Sequence, residues 1–141
     1  MTPRDDLLVE RECRRLIDAF ARLVDAREDE AAAALFAADG RLVRGADRFE
    51  GPDGVLRMLR SRPLDLVTCH LNAGTLVEPA GPGAATAATA FLVLRGTRPP
   101  AGGPVDLQGA QRVAGRYRDR FALTPAGWRF AERAVLIDFT G

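Results

Sequence analysis

The sequence predicts an α+β domain in which helices come first and a strongly curved, mainly antiparallel sheet wraps around them. Apolar residues recur at three and four positions before Pro63 and at every second position after it. Helices followed by a run of strands, without α/β alternation, indicate segregated layers. Hydrophobic residues make up 47% and charged residues 28% of the 141 residues, a globular composition sized for a single domain, 1–141.

Taken in order, Asp6 to Val24 reads as a long amphipathic helix, with Val9, Cys13, Leu16, Ile17, Phe20, Leu23 and Val24 on one stripe. A second helix is expected over Glu28 to Ala37, because Glu28, Asp29 and Glu30 suit a helix N-terminus and Asp39-Gly40 is a stop. Arg41 to Arg44 reads as a short strand. Gly51-Pro52-Asp53-Gly54 turns into a third helix through Leu59, which Arg62-Pro63 ends. Four long strands follow, Leu66 to Val77, Ala84 to Leu94, Gln111 to Leu123 and Trp128 to Phe139, joined by Pro/Gly-rich connections as a meander.

Strand parity then sorts the side chains. Val113, Gly115, Tyr117, Asp119, Phe121 and Leu123 share one face of the third long strand, and Arg112, Arg116, Arg118 and Arg120 the other. Asp119 thus falls on the apolar face, where an unpaired carboxylate is costly, so it needs a partner such as Arg129 or Arg133, or a ligand. In the first long strand Thr68, His70 and Asn72 point one way, and Cys69, Leu71, Ala73 and Thr75 the other. His70 is the single histidine and the natural carrier of acid–base chemistry near neutral pH; a hydrogen-bonded structural histidine is the competing reading.

Several function classes fall away on composition. A net charge of +1 argues against a nucleic-acid partner or an anionic membrane surface. All twenty basic residues are arginine, so no Schiff-base lysine exists. Cys13 and Cys69 form no CxxC and have no clustered histidines beside them; no metal is expected, and both thiols are expected free and mostly buried. The longest apolar run, Ala31 to Ala38, is far short of the ~20 residues of a membrane span, which gives a cytoplasmic, soluble protein as the expectation.

Three stretches carry a resemblance. They are Phe20 to Glu28 with Leu35-Phe36-Ala37-Ala38-Asp39-Gly40, then Thr68-Cys69-His70-Leu71-Asn72, then Gly115-Arg116-Tyr117-Arg118-Asp119 leading to Gly127-Trp128-Arg129-Phe130. With them the chain resembles, over nearly its whole length, the SnoaL-like branch of the nuclear-transport-factor-two-like superfamily, which includes scytalone dehydratase, ketosteroid isomerase and polyketide cyclases. The resemblance implies a cone-shaped barrel with three N-terminal helices packed in the curved sheet, a deep, mostly apolar pocket, and a homodimer formed through the outer sheet face. It also implies that His70 is a general base oriented by Asp25. Periodicity alone places Asp25 roughly 140° from the apolar stripe, so it reaches the pocket only if the helix ends there; Arg22 is its other possible partner. The single histidine, and Val24 where the dehydratases carry a pocket tyrosine, depart from the scytalone dehydratase pattern.

The expected function is that of a cofactor-free dehydratase, isomerase or cyclase acting on a small, largely apolar carbonyl or polyketide-like substrate. His70 and Asp25 would be catalytic, Asn72, Tyr117 and Asp119 would position the substrate oxygen, and Phe91, Phe121 and Trp128 would form pocket wall. A ligand-binding module, a structural subunit, and an epoxide hydrolase built on Asp119 with Arg133 or Arg129 are the alternatives.

Overall fold

The computed structural model describes residues 2–141. Helix α1 (Pro3–Asp25) is started by a capping box, in which the Thr2 hydroxyl accepts the Asp5 N–H at 3.2 Å and the Asp5 carboxylate accepts the Thr2 N–H at 3.0 Å. Its buried stripe contains Val9, Cys13, Leu16, Ile17, Phe20 and Val24, as the periodicity predicts, and also Ala21, which the pattern does not include, while Leu23 is only partly buried. After Asp25 the chain reverses through Arg27, whose φ of 57° is left-handed and whose guanidinium donates to the carbonyls of Pro63 and Leu66.

The second helix is shorter than its pattern suggests. Helix α2 (Asp29–Ala33) stops early and strand β1 (Phe36–Arg44) begins inside the expected helix. Alanine favours helix, but only weakly, and tertiary packing overrides it. Phe36 stacks on Phe130, its partner across β1 and β6, at 5.0 Å and meets Phe20 edge-on at 5.6 Å. A strand not anticipated, β2 (Asp47–Glu50), folds back on β1, and α3 (Gly51–Arg60) follows.

The long strands β3 (Leu66–Pro79), β4 (Ala84–Thr97), β5 (Gln111–Thr124) and β6 (Gly127–Thr140) form the expected meander. Sheet order is β2-β1-β6-β5-β4-β3, with β1 parallel to β6 and every other pairing antiparallel. The sheet is curved but does not close into a barrel, because β2 and β3 remain as edges. The helices fill its concave side, where Phe20, Phe36, Phe121 and Phe130 build the centre of the core.

Bulges bend the strands and reset their faces. In β3, Gly74 at φ 63° is the extra residue between Ala73 and Leu76, so Thr75 turns inward and meets the Thr89 hydroxyl at 3.1 Å, contrary to simple alternation. In β6, register shifts opposite Arg120/Phe121 and Ala114/Gly115 keep Phe130, Arg133, Val135, Ile137 and Thr140 on the inner side. The β5 face is inward as expected from Val113 to Phe121, but Leu123 lies exposed at the strand end. The arginine face is outward and partly self-paired, Arg116 with Asp138 at 2.9 Å and Arg120 with Glu132 at 3.5 Å. Cys13 is buried, but Cys69, on the outer side of the edge strand, is exposed. Among the described residues no helix is long and apolar enough to cross a membrane.

At Gly115 the neighbouring strand β6 leaves no room for a side chain: a Cβ there would stand 1.9 Å from the Leu136 carbonyl oxygen, which is backbone and cannot swing away. Gly115→Ala is expected to cost about 1–3 kcal/mol in urea denaturation, as overpacking does. Gly109→Ala, with open space at its Cβ, should leave the midpoint nearly unchanged.

Candidate active site

A cavity of about 480 Å³ opens at one end of the cone, where the C-terminal ends of β1, β4 and β6 meet the N-terminal ends of β3 and β5. Its depth is apolar, formed by Phe20, Val24, Leu42, Leu59, Phe91 and Val93, all buried. Ser61, Pro63, Arg95 and Gln111 stand exposed at the solvent end.

Into this wall β3 projects Thr68 and His70. Asp25, the last residue of α1, lies behind them, because the helix ends at that residue and its carboxylate is released toward β3. One carboxylate oxygen accepts the Thr68 hydroxyl at 2.8 Å and lies 2.6 Å from His70 Nδ1; the other accepts the His70 backbone N–H at 2.8 Å. The partner is therefore the β3 strand and not Arg22. Burial alone would raise the Asp25 carboxyl, but the ring and backbone N–H groups of His70, its charge and the Thr68 hydroxyl outweigh this and hold it below the ordinary carboxylate range. An ionised carboxylate only accepts, so Nδ1 carries the proton in the neutral ring, and Nε2 offers its lone pair to the cavity.

The opposite wall is built on β5 and β6. Asp119 is buried and grips Arg133 with a two-pronged ion pair, Nε at 2.8 Å and Nη2 at 2.9 Å. Arg133 is 2% exposed, yet it borders the cavity, and its guanidinium carbon lies 3.9 Å from the Tyr117 ring centroid. Burial alone would lower its pKa, but Asp119 raises it, so the cation is secure. Tyr117 stacks on Phe91 with centroids 4.3 Å apart. Burial pushes the phenol up, against the pull of Arg133, so it remains a hydrogen-bond donor at neutral pH.

Of the residues singled out from the sequence, His70, Tyr117 and Phe91 line the cavity together with Thr68 and Arg133, and Asp25 lies directly behind His70. The others do not border it. Asp119 faces Arg133 and reaches the cavity only through it, while Phe121 and Trp128 pack in the main core instead of the pocket wall. Asn72 lies beyond the cavity on β3, with a buried side-chain oxygen that has no partner among the described residues. Arg129 donates to the Trp128 carbonyl, leaving Asp119 to Arg133. Arg44, Arg95 and Val93 are wall residues not singled out beforehand, and they are joined by Val113, which strand parity already puts on the Tyr117 face; extending the alternation of Phe91 along β4 would have found Val93 and Arg95.

A family model described as a SnoaL-like domain matches residues 5–134. Among solved structures, a provisionally assigned scytalone dehydratase from Novosphingobium aromaticivorans superposes with a TM-score of 0.82 at 19% identity, over 96% of this chain and 87% of that one. A hexachlorocyclohexane dehydrochlorinase, LinA-type3 from Novosphingobium barchaimii, gives 0.79 at 16% identity, over 96% and 90%. An NTF2-like protein with a cystatin-like fold, also from Novosphingobium aromaticivorans, gives 0.71 at 25% identity, over 93% and 83%. No curated protein matches the chain.

Two stability measurements probe the site. Because the Asp25 carboxyl is lowered, its contribution is complete above its unfolded pKa of ~3.9 and is lost as pH falls through the lowered value. Wild type and Asp25→Asn should therefore differ most in urea midpoint above about pH 4 and converge below it. Arg133→Met leaves Asp119 buried and unpaired, with an expected loss of about 3–5 kcal/mol in the same assay; adding Asp119→Leu should recover most of it.

Proposed function

The chain belongs to the SnoaL-like domain family, and we propose that it is an acid–base enzyme that moves a proton on a small, largely apolar carbonyl substrate. The observation that carries this is the 2.6 Å contact between Asp25 and His70 Nδ1 at the wall of an otherwise apolar cavity. Similarity of fold to a dehydratase and a dehydrochlorinase agrees with a reaction begun by loss of a proton from carbon.

In this reading His70 Nε2 takes a proton from the carbon beside the substrate carbonyl. The C–H pair becomes the carbon–carbon double bond of an enolate, and the negative charge moves to the carbonyl oxygen. Asp25 stabilises the imidazolium that forms and keeps its ring in place. Tyr117 and Arg133, which line the same cavity, are the donors that meet the oxyanion. The enolate then expels a β-hydroxyl, to which the imidazolium returns the proton, so that water leaves and the ring is neutral again. Isomerisation differs only in that the proton returns to another carbon, and cyclisation in that the enolate carbon attacks a second carbonyl. The resident groups supply both proton acceptor and donor.

The test is incubation in D₂O with a panel of small apolar ketones and β-hydroxyketones, read by mass spectrometry for deuterium uptake and for loss of water. Wild type is expected to exchange or dehydrate at least one of them. His70→Ala should lose about 10²–10⁴ of the rate, and Asp25→Asn should lose a large part of it while still folding. Binding of panel members without exchange would point to a ligand-binding module instead, and exchange unchanged in His70→Ala would remove His70 as the base.

A further inference from the structure

The cavity wall carries four arginines, Arg44, Arg62, Arg95 and Arg133, and among the described residues it includes no aspartate or glutamate. With a net charge of only +1 for the whole chain, this is a local concentration of one sign. Two of the four are neutralised within the protein. Arg133 is held by Asp119, and Arg62 pairs with Asp29 at 2.9 Å while donating to the Leu59 carbonyl at 2.9 Å. Arg44 and Arg95 form no ion pair among the described residues. Both are exposed and therefore stand at the solvent end of the cavity. Arg44 is steadied over the Phe49 ring at 5.5 Å.

Register relates these cations to the proposed base. On β3 and β4, His70 is opposite Val93 and Thr68 is opposite Arg95, and all four residues face the cavity. Arg95 is thus the diagonal neighbour of His70, with backbones about 7–8 Å apart in such a pair. A ligand whose anionic group meets the Arg95 guanidinium would place a carbon only a few bonds away beside the imidazole. A guanidinium fork matches the two oxygens of a carboxylate.

We propose that the substrate is a small apolar carboxylic acid, bound as its carboxylate with the anion at Arg95 and Arg44 and the apolar, reacting body inside. The assignment rests on His70 as base only for which part of the ligand reacts; the anion preference is a binding property and is tested separately. Arg95 and Arg44 are binding residues and take no part in the proton transfer.

Isothermal titration with 2-naphthoate and its neutral isostere 2-naphthamide reads the preference directly. Wild type and His70→Ala should both bind the acid at least about tenfold more tightly than the amide, with the margin shrinking as salt is raised. Arg44→Gln/Arg95→Gln should bind both alike, and Arg95→Gln alone should lose most of the preference. Circular dichroism should show the double variant folded, since both side chains are exposed; if it is not, the single variant decides. Equal binding of acid and amide by wild type, no binding of either, or a preference that survives in these variants would overturn the proposal. A preference intact in His70→Ala, with no exchange by wild type on any panel compound, would leave the anion site standing and remove the proton-transfer reading alone.

Discussion

One carboxylate ties the helical layer to the edge of the sheet at the place where chemistry is proposed. Asp25 accepts from the Thr68 hydroxyl, the His70 backbone and the His70 ring, so its position fixes both the end of α1 and the rotamer and tautomer of the imidazole. A carboxylate at a helix C-terminus opposes the macrodipole by ~0.3–1 kcal/mol. Three donors from β3 more than offset that, and they are available only because the helix stops at Asp25 and does not carry the side chain round to solvent.

A second buried pair holds the far wall. Asp119 and Arg133 come from neighbouring strands paired in register, and the inward aim of Arg133 depends on the bulge between Phe130 and Glu132. Burying two charges is expensive, and the pair is weak evidence for stability in itself. What it supplies is a fixed cation beside Tyr117 at the cavity wall, opposite an imidazole fixed by another carboxylate. Asymmetry between the two walls, an imidazole on β3 and hydrogen-bond donors on β5 and β6, gives the cavity a direction.

Much of this was legible in the sequence, and the exceptions have physical causes. The amphipathic stripe of α1 and the alternation in the long strands report burial directly, and burial is what the sheet and helix faces have in common with hydrophobic pattern. The run from Ala31 to Ala38 misled because alanine's helix preference is worth less than seating Phe36 among Phe20 and Phe130, a contact between distant residues. Thr75 misled because one left-handed glycine, Gly74, inserts a residue and inverts parity beyond it. At the site, His70 stood out by being the single histidine and Asp119 by being a charge on an apolar face. That Phe121 and Trp128 belong to the core and not the cavity depends on how far along the cone the helices fill it, which strand parity does not encode.

In the proposed chemistry Asp25 holds the neutral imidazole of His70 with its proton on Nδ1 and Nε2 free toward the cavity. As the single histidine, His70 gives unambiguous signals in a ¹⁵N-labelled sample. Long-range ¹H–¹⁵N correlation at a pH where the ring is neutral should show Nδ1 protonated and Nε2 bare in wild type, with that preference lost in Asp25→Asn. A ring protonated on Nε2 in wild type, or a tautomer indifferent to Asp25→Asn, would contradict the account.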